Sequence, residues 1–307
     1  MSFSHFKSKE VFMEFNSFCE EVRDKVRDIC GEDFNVSVRD TLKNNSVVLK
    51  GLVIMGKESN VAPSIYLEDF YTDYCDGKDM DDIVNDILKI YSKNRNCGDL
   101  NVNIFKDFDE VKDKIVFKLV NYDSNLSLLS TLPHRRFLDL AVIYVVVLGE
   151  TPQGHATVTI HNEHMESWET NEEELWKLAR ENTPRMAEPQ IMSLCDLISH
   201  MTGVETKDQV PDDAGMYVLT NSSRINGAAC ILYDDVVSGF AGGLGKDLYI
   251  IPSSIHEVIL MPADAFADVD RMIDIIKEVN STQVSKEEIL SYRLYRYNRA
   301  TDRICCA

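Results

Sequence analysis

Leu140–Leu148 reads LAVIYVVVL, the longest uninterrupted apolar run in the chain. It is about half the length that a membrane-crossing helix needs, so it is read as a buried central strand. A strand of this kind must be covered, which commits the surrounding sequence to building a core. The composition allows this: 307 residues are 44% hydrophobic and 27% charged, with only 14 Gly and 8 Pro. That balance argues against disorder and leaves room for one large or two ordinary domains.

Around this strand the pattern alternates. Val11, Phe15, Phe18, Val22, Val26 and Ile29 recur at three- and four-residue steps, which predicts a helix over 8–30 ending near Gly31. Strands over 35–42 and 47–55 flank Lys43-Asn44-Asn45-Ser46, where asparagine tolerates a tight turn. A third extended segment is expected over 62–71 and a helix over 80–91. The polar stretch 92–101 is a candidate boundary, dividing modules 1–95 and 100–307, unless the two form one continuous domain. Further on, the pattern predicts a helix at 107–112, a strand at 114–122, a short helix at 125–131 and a PHRRF turn. The apolar strand returns through 155–160 to a helix over 171–182. Strands are expected at 216–220 and 228–233, then a helix at 234–242, strands at 248–251 and 258–261, and a helix at 264–279. A strand pair, 289–297 with 302–306, follows. Strands come in pairs before each helix, so the expected class is α+β, with repeated strand–strand–helix modules and mainly antiparallel sheets packed on helices.

The net charge of −19 disfavours non-specific contact with DNA or anionic lipid and fits a basic protein partner better. Residues 161–215 hold 13 acidic and 4 basic side chains, whereas 293–303 holds four arginines and one aspartate. The N-terminus lacks the apolar stretch of a signal peptide. The eight cysteines show no CxxC spacing, which fits a reduced, cytoplasmic protein. A soft-metal role for Cys305-Cys306 ranks below an inert tail.

Candidate chemistry is scattered. His155, His161 and His164 lie within HATVTIHNEHM, yet His155 and His161 would face opposite sides of a strand, and HxxH lacks a third ligand. No metal or cofactor is expected. PSSIHEV brings Ser254, His256 and Glu257 close in sequence without the geometry of a triad or the GxSxG elbow. Gly239, Gly242, Gly243 and Gly245 fall at the end of a predicted helix, where glycine caps a C-terminus rather than cradling phosphate. Arg135 and Arg136 stand before the apolar strand, as candidates for gripping a carboxylate or phosphate, although ion pairing with the acidic surplus is preferred. Tyr292, Tyr295 and Tyr297 alternate with arginines, a pattern that suits single-stranded nucleic acid but also edge-strand protection.

The segments LKNNSVVLKGLVIM, APSIYLEDFYTDY, LPHRRFLDLAVIYVVVL, MYVLTNSSRINGAACILYDDV and DLYIIPSSIHEVILMP span most of residues 36–262. In them the chain resembles an uncharacterised domain-of-unknown-function family found in gut-dwelling anaerobic Firmicutes, often near mobile elements. The resemblance implies a bacterial cytoplasmic origin and brings no activity or catalytic residue. His164 in NEHM and the NGAACILY segment look like family hallmarks.

Three functions follow in order of preference. The first is a non-catalytic protein-interaction or accessory factor of a mobile element. The second is an enzyme acting on a small anionic substrate held by Arg135 and Arg136, with His164, Ser254 or His256 as catalytic groups. The third is nucleic-acid binding through the Tyr/Arg strand.

Overall fold

A computed structural model describes residues 12–57, 62–94, 105–151, 154–197, 215–266 and 268–307, with backbone only at 150, 151, 154 and 155. Contacts divide the chain into two units, Met1–Lys43 with Val48–Leu100, and Asn44–Val47 with Asn101–Ala307. No described helix is long and apolar enough to cross a membrane.

In the first unit the apolar stripe forms helix α1 (Phe15–Cys30), which buries Phe18, Cys19, Val22 and Val26. Gly31 stops it at φ 75°, its N–H returning to the Arg27 carbonyl. Positive φ suits glycine at a helix end. Strands β1 (Phe34–Leu42) and β2 (Val48–Gly56) pair antiparallel, and β3 (Ser64–Tyr66) adds to β2. Helix α2 (Glu68–Cys75) precedes α3 (Met80–Asn94), which buries Ile83, Val84 and Ile87. The extended segment expected over 62–71 therefore ends at Tyr66. Glu68 and Asp69 favour a helix start, and Tyr71 and Tyr74, three residues apart on one helix face, each pack 5.3 Å from the Phe18 ring.

The second unit takes in the turn residues 44–47, where Asn45 and Ser46 are left-handed (φ 57°) and Asn45 exchanges hydrogen bonds with Asn125. Its elements are α4 (Phe108–Val111), β4 (Ile115–Asn121), α5 (Leu126–Leu129), β5 (His134–Phe137), β6 (Leu140–Thr151), β7 (Gly154–Thr159), α6 (Asn162–Ser167), α7 (Glu172–Met186), β8 (Pro189–Ser193), β9 (Tyr217–Asn221), α8 (Val236–Leu244), β10 (Leu248–Ile251), β11 (Val258–Pro262), α9 (Val269–Thr282), β12 (Tyr295–Asn298) and β13 (Arg303–Cys306). One sheet runs β4-β6-β5 with β7 on the far half of β6, and the other runs β13-β12-β10-β11-β9-β8. The described pairings are antiparallel. The protein is α+β with antiparallel sheets.

Several segments depart from the sequence reading. PHRRF is a strand, because Leu138 adopts φ 56° and lets Phe137 pair with Leu140 across a two-residue turn. Gly227–Leu232 is a 3-10 helix rather than a strand, and its first five residues are buried. A fully buried apolar run carries no periodicity to separate the two. Helix α6 and strand β8 were not foreseen, α9 begins only at Val269, and residues 289–294 lie outside any strand. The N-terminal part of the first predicted helix, most of the boundary stretch 92–101, and residues 198–214 of the acidic segment lie outside the described residues.

LAVIYVVVL is the central strand of its sheet, flanked by β4 on one side and by β5 and β7 on the other. Alternation gives this sheet two faces. Phe117, Leu119, Val142, Tyr144 and Val146 join Leu175 and Ala179 of α7 in the main core. On the reverse, Val120, Ala141 and Ile143 are covered by Leu129 and Leu132. Helix α7 also closes the outer edge of β4. The Phe117 N–H donates to Thr183 Oγ1 at 3.0 Å, and Asn182 Nδ2 donates to the Ile115 carbonyl at 3.0 Å. Both satisfy groups that an open edge would leave unpaired.

Candidate functional site

Strand alternation sends Arg135 and Arg136 to opposite faces of β5. Arg135 reaches the core side and grips Glu172 with two hydrogen bonds, 3.1 Å from Nε and 2.9 Å from Nη2, while also pairing with Glu173. Tyr144, fully buried, donates its hydroxyl to the same Glu172 carboxylate. Burial pushes the Glu172 carboxyl up, but hydrogen bonds from Arg135 and Tyr144 outweigh it and hold it below the usual glutamate range. Burial and the Glu172 hydrogen bond raise the Tyr144 phenol. The arginine also lies 5.1 Å over the Trp176 ring. Its charge is thus neutralised within the fold. Arg136, by contrast, is exposed, stacks 4.4 Å over Tyr122, and donates Nε to the Leu138 carbonyl.

His164 serves the start of α6. Its Nδ1 accepts the His161 backbone N–H at 2.8 Å, and its ring packs 4.5 Å from Phe105 and 5.8 Å from Trp168. Burial first, then the neighbouring His161, lowers its pKa, favouring the neutral ring that this hydrogen bond requires. Of His155 only the backbone is described. Cys305 and Cys306 are adjacent on β13, so their sulfurs diverge: one lies 3.6 Å from the Arg296 carbonyl and the other 4.0 Å from Arg293 Nη1.

The PSSIHE turn is held by its own side chains. Ser254 Oγ donates to Glu257 Oε1 at 2.8 Å and accepts the His256 N–H at 3.0 Å. The His256 ring turns elsewhere: Nδ1 accepts the Asn226 N–H at 3.3 Å, and Nε2 stands 3.5 Å from Glu288. Among the described residues no hydrogen bond or ion pair joins Arg135, Arg136 or His164 to Ser254 or His256. Of the glycines singled out, Gly245 caps α8 at φ 70°.

His256 braces a strained loop. Arg224 and Asn226 are left-handed at φ 56° and 54°, and Ser223 Oγ and the Ile225 carbonyl both bond the Asn221 amide. Gly227 follows at a point of contact that excludes any side chain, since a Cβ there would sit 2.3 Å from Thr220 Oγ1 and 2.5 Å from the His256 carbonyl. The loop walls a cavity of about 100 Å³. Its floor is Val116, Val145 and Val147, on the reverse face of the sheet beyond the part that Leu129 and Leu132 cover. Thr183, Met186, Ala187, Phe117 and Tyr233 also line the cavity. These residues come from separated segments, so sequence reading did not assemble them. The one available signal was the NSSRINGAAC stretch, whose Asn-Gly pair marks unusual backbone.

A second, wider depression of about 800 Å³ runs along α7. Glu173, Glu174, Glu181 and Asp234 line it against Lys177 and Arg180, with Trp176 among them. Arg180 is itself paired with Asp234 and Glu173 with Arg135, which leaves Glu174 and Glu181 against Lys177, a small acidic excess. The acid at the head of α7 has a local cause: Glu172, Glu173 and Glu174 occupy its first turn, where the helix dipole favours them.

Residues 15–299 match a family described as a family of unknown function, DUF5688. No curated protein and no solved structure matches the chain.

Proposed function

Since the chain belongs to this family of unknown function, DUF5688, which brings no activity with it, we propose from the local chemistry that it is a non-catalytic interaction protein whose α7 groove receives a basic segment of a protein partner. The observation that carries this is the groove itself: with Arg180 paired to Asp234 and Glu173 to Arg135, Glu174 and Glu181 stand against Lys177, with an indole among them. Acidic rims steer basic partners, and tryptophan is among the residue types enriched at interface hot spots. A cytoplasmic setting in gut anaerobic bacteria and an accessory role in a mobile element, both implied by the resemblance, complete the proposal. The enzymatic reading has less support, because Arg135 is engaged by Glu172 and Ser254 by Glu257. Nucleic-acid binding through the Tyr/Arg strand has less again, since Tyr295 and Tyr297 are buried and Arg296 pairs with Asp247.

The test is a titration with a fluorescent Lys/Leu dodecapeptide at low salt. The double variant Glu174→Lys/Glu181→Lys is compared with Asp270→Lys/Asp274→Lys, which makes the same charge change on the exposed side of α9. The expected result is a loss of at least tenfold in affinity for the α7 variant only. Equal losses in both reduce the effect to net charge and end the proposal.

A further inference from the structure

The loop-walled cavity is unrelated to the acidic groove in its chemistry. Three valines lie on one side of it, Phe117 and Tyr233 are among its lining, and Lys118 is the one charged residue among the described residues that line it. In a chain of net charge −19, a cation beside an apolar floor selects for an anion with an apolar body. Lys118 has a partner in the structure, and the three donors of an ammonium leave capacity for a further acceptor. Ser223 and Asn226 lie on the same lining. The space, about 100 Å³, is somewhat below the ~150 Å³ of an apolar cavity that takes benzene. That limits the body to a short branched chain or a small ring.

The wall on the loop side is held in an unfavourable backbone shape by side-chain hydrogen bonds of Asn221, Ser223 and His256. Two left-handed residues, Arg224 and Asn226, flank Ile225, whose side chain reaches the cavity lining. His256 holds the second of them from behind. Left-handed backbone at non-glycine residues concentrates at ligand clamps, where surrounding structure over-determines it. A pocket with an apolar floor and a few convergent polar groups is also the usual form of a small-molecule site.

We propose that this cavity binds a small carboxylate with a branched or cyclic apolar body, the body on Val116, Val145 and Val147 and the carboxylate at Lys118. The site is independent of the α7 groove and stands whether or not a protein partner binds there.

The test is a methyl-NMR titration of the full chain with 3-methylbutanoate and, separately, its neutral counterpart 3-methylbutanamide. Saturable shifts are expected at the methyls of Val116, Val145, Val147 and Met186, with the acid binding about tenfold more tightly than the amide. Lys118→Met is expected to remove that preference while leaving amide binding intact. Val116→Phe, which fills the floor, is expected to abolish both. The proposal is overturned by shifts that do not saturate or that map elsewhere, by equal binding of acid and amide, or by an unchanged preference in Lys118→Met.

Discussion

The two faces of the β4-β6-β5 sheet are made by the same strands and put their arginines to opposite uses. On the core face, Arg135 meets Glu172, which also accepts the Tyr144 hydroxyl, under α7, so the half-buried carboxylate has its cation within reach. On the reverse face Leu129 and Leu132 pack on one part of the apolar surface, Val145 and Val147 are buried around the small cavity beside Lys118, and Arg136 stacks in the open on Tyr122. A neutralised, sealed face contributes stability, whereas a partly open one with an unusual loop beside it is where binding chemistry is to be sought. The Arg-Arg pair, for which ion pairing is the preferred sequence reading, is divided between these roles by strand alternation.

The comparison can be broken at the loop that walls the open face. Gly227→Ala should destabilise the protein by about 3 kcal/mol or more, because the added Cβ meets Thr220 and the His256 backbone at 2.3 and 2.5 Å. Gly242→Ala on α8, where nothing lies within 4 Å, should instead stabilise it by about 0.5–1 kcal/mol. Urea denaturation of both variants measures the difference. Equal small effects would mean the loop is not held as described.

The second contrast is between the arginines. Arg135→Met leaves Glu172 half-buried without its cation and should cost roughly 2–3 kcal/mol. Arg136→Met should cost at most about 1 kcal/mol, the worth of an exposed cation–π contact. The same denaturation curves decide it, and a reversed order would show that the sealed face is misassigned.

Much of the fold was legible, and the reasons are specific. Phe18, Val22 and Val26 declared α1 through their spacing, and LAVIYVVVL declared a buried strand through its length. What was hidden depended on pairing and packing that local spacing does not carry. The β5 strand is set by pairing with β6, the 3-10 turn at Gly227–Leu232 by close packing on Thr220 and His256, and the second half of 62–71 by aromatic packing on Phe18. For the site, local spacing showed that Ser254, His256 and Glu257 do not form a triad. It could not show that His256 braces Asn226, or that valines from two strands floor a cavity, because those relations exist only after the sheets form.

A smaller effect sharpens the account of the sealed face. Glu172 is held below the usual glutamate value of 4.5, so its contribution is complete above that pH and is lost as pH falls through the lowered folded value. Acid titration of stability should therefore show a loss that begins below about pH 4.5, and Arg135→Met should show less of it. An identical acid profile in both proteins would remove Arg135 as the cause.

The proposed function itself is tested most directly by hydrogen–deuterium exchange of the full chain with and without the Lys/Leu dodecapeptide. Added protection confined to residues 171–187 is the predicted result. Protection over α9 instead, or no change in α7, would contradict the assignment of its acidic groove as the binding face.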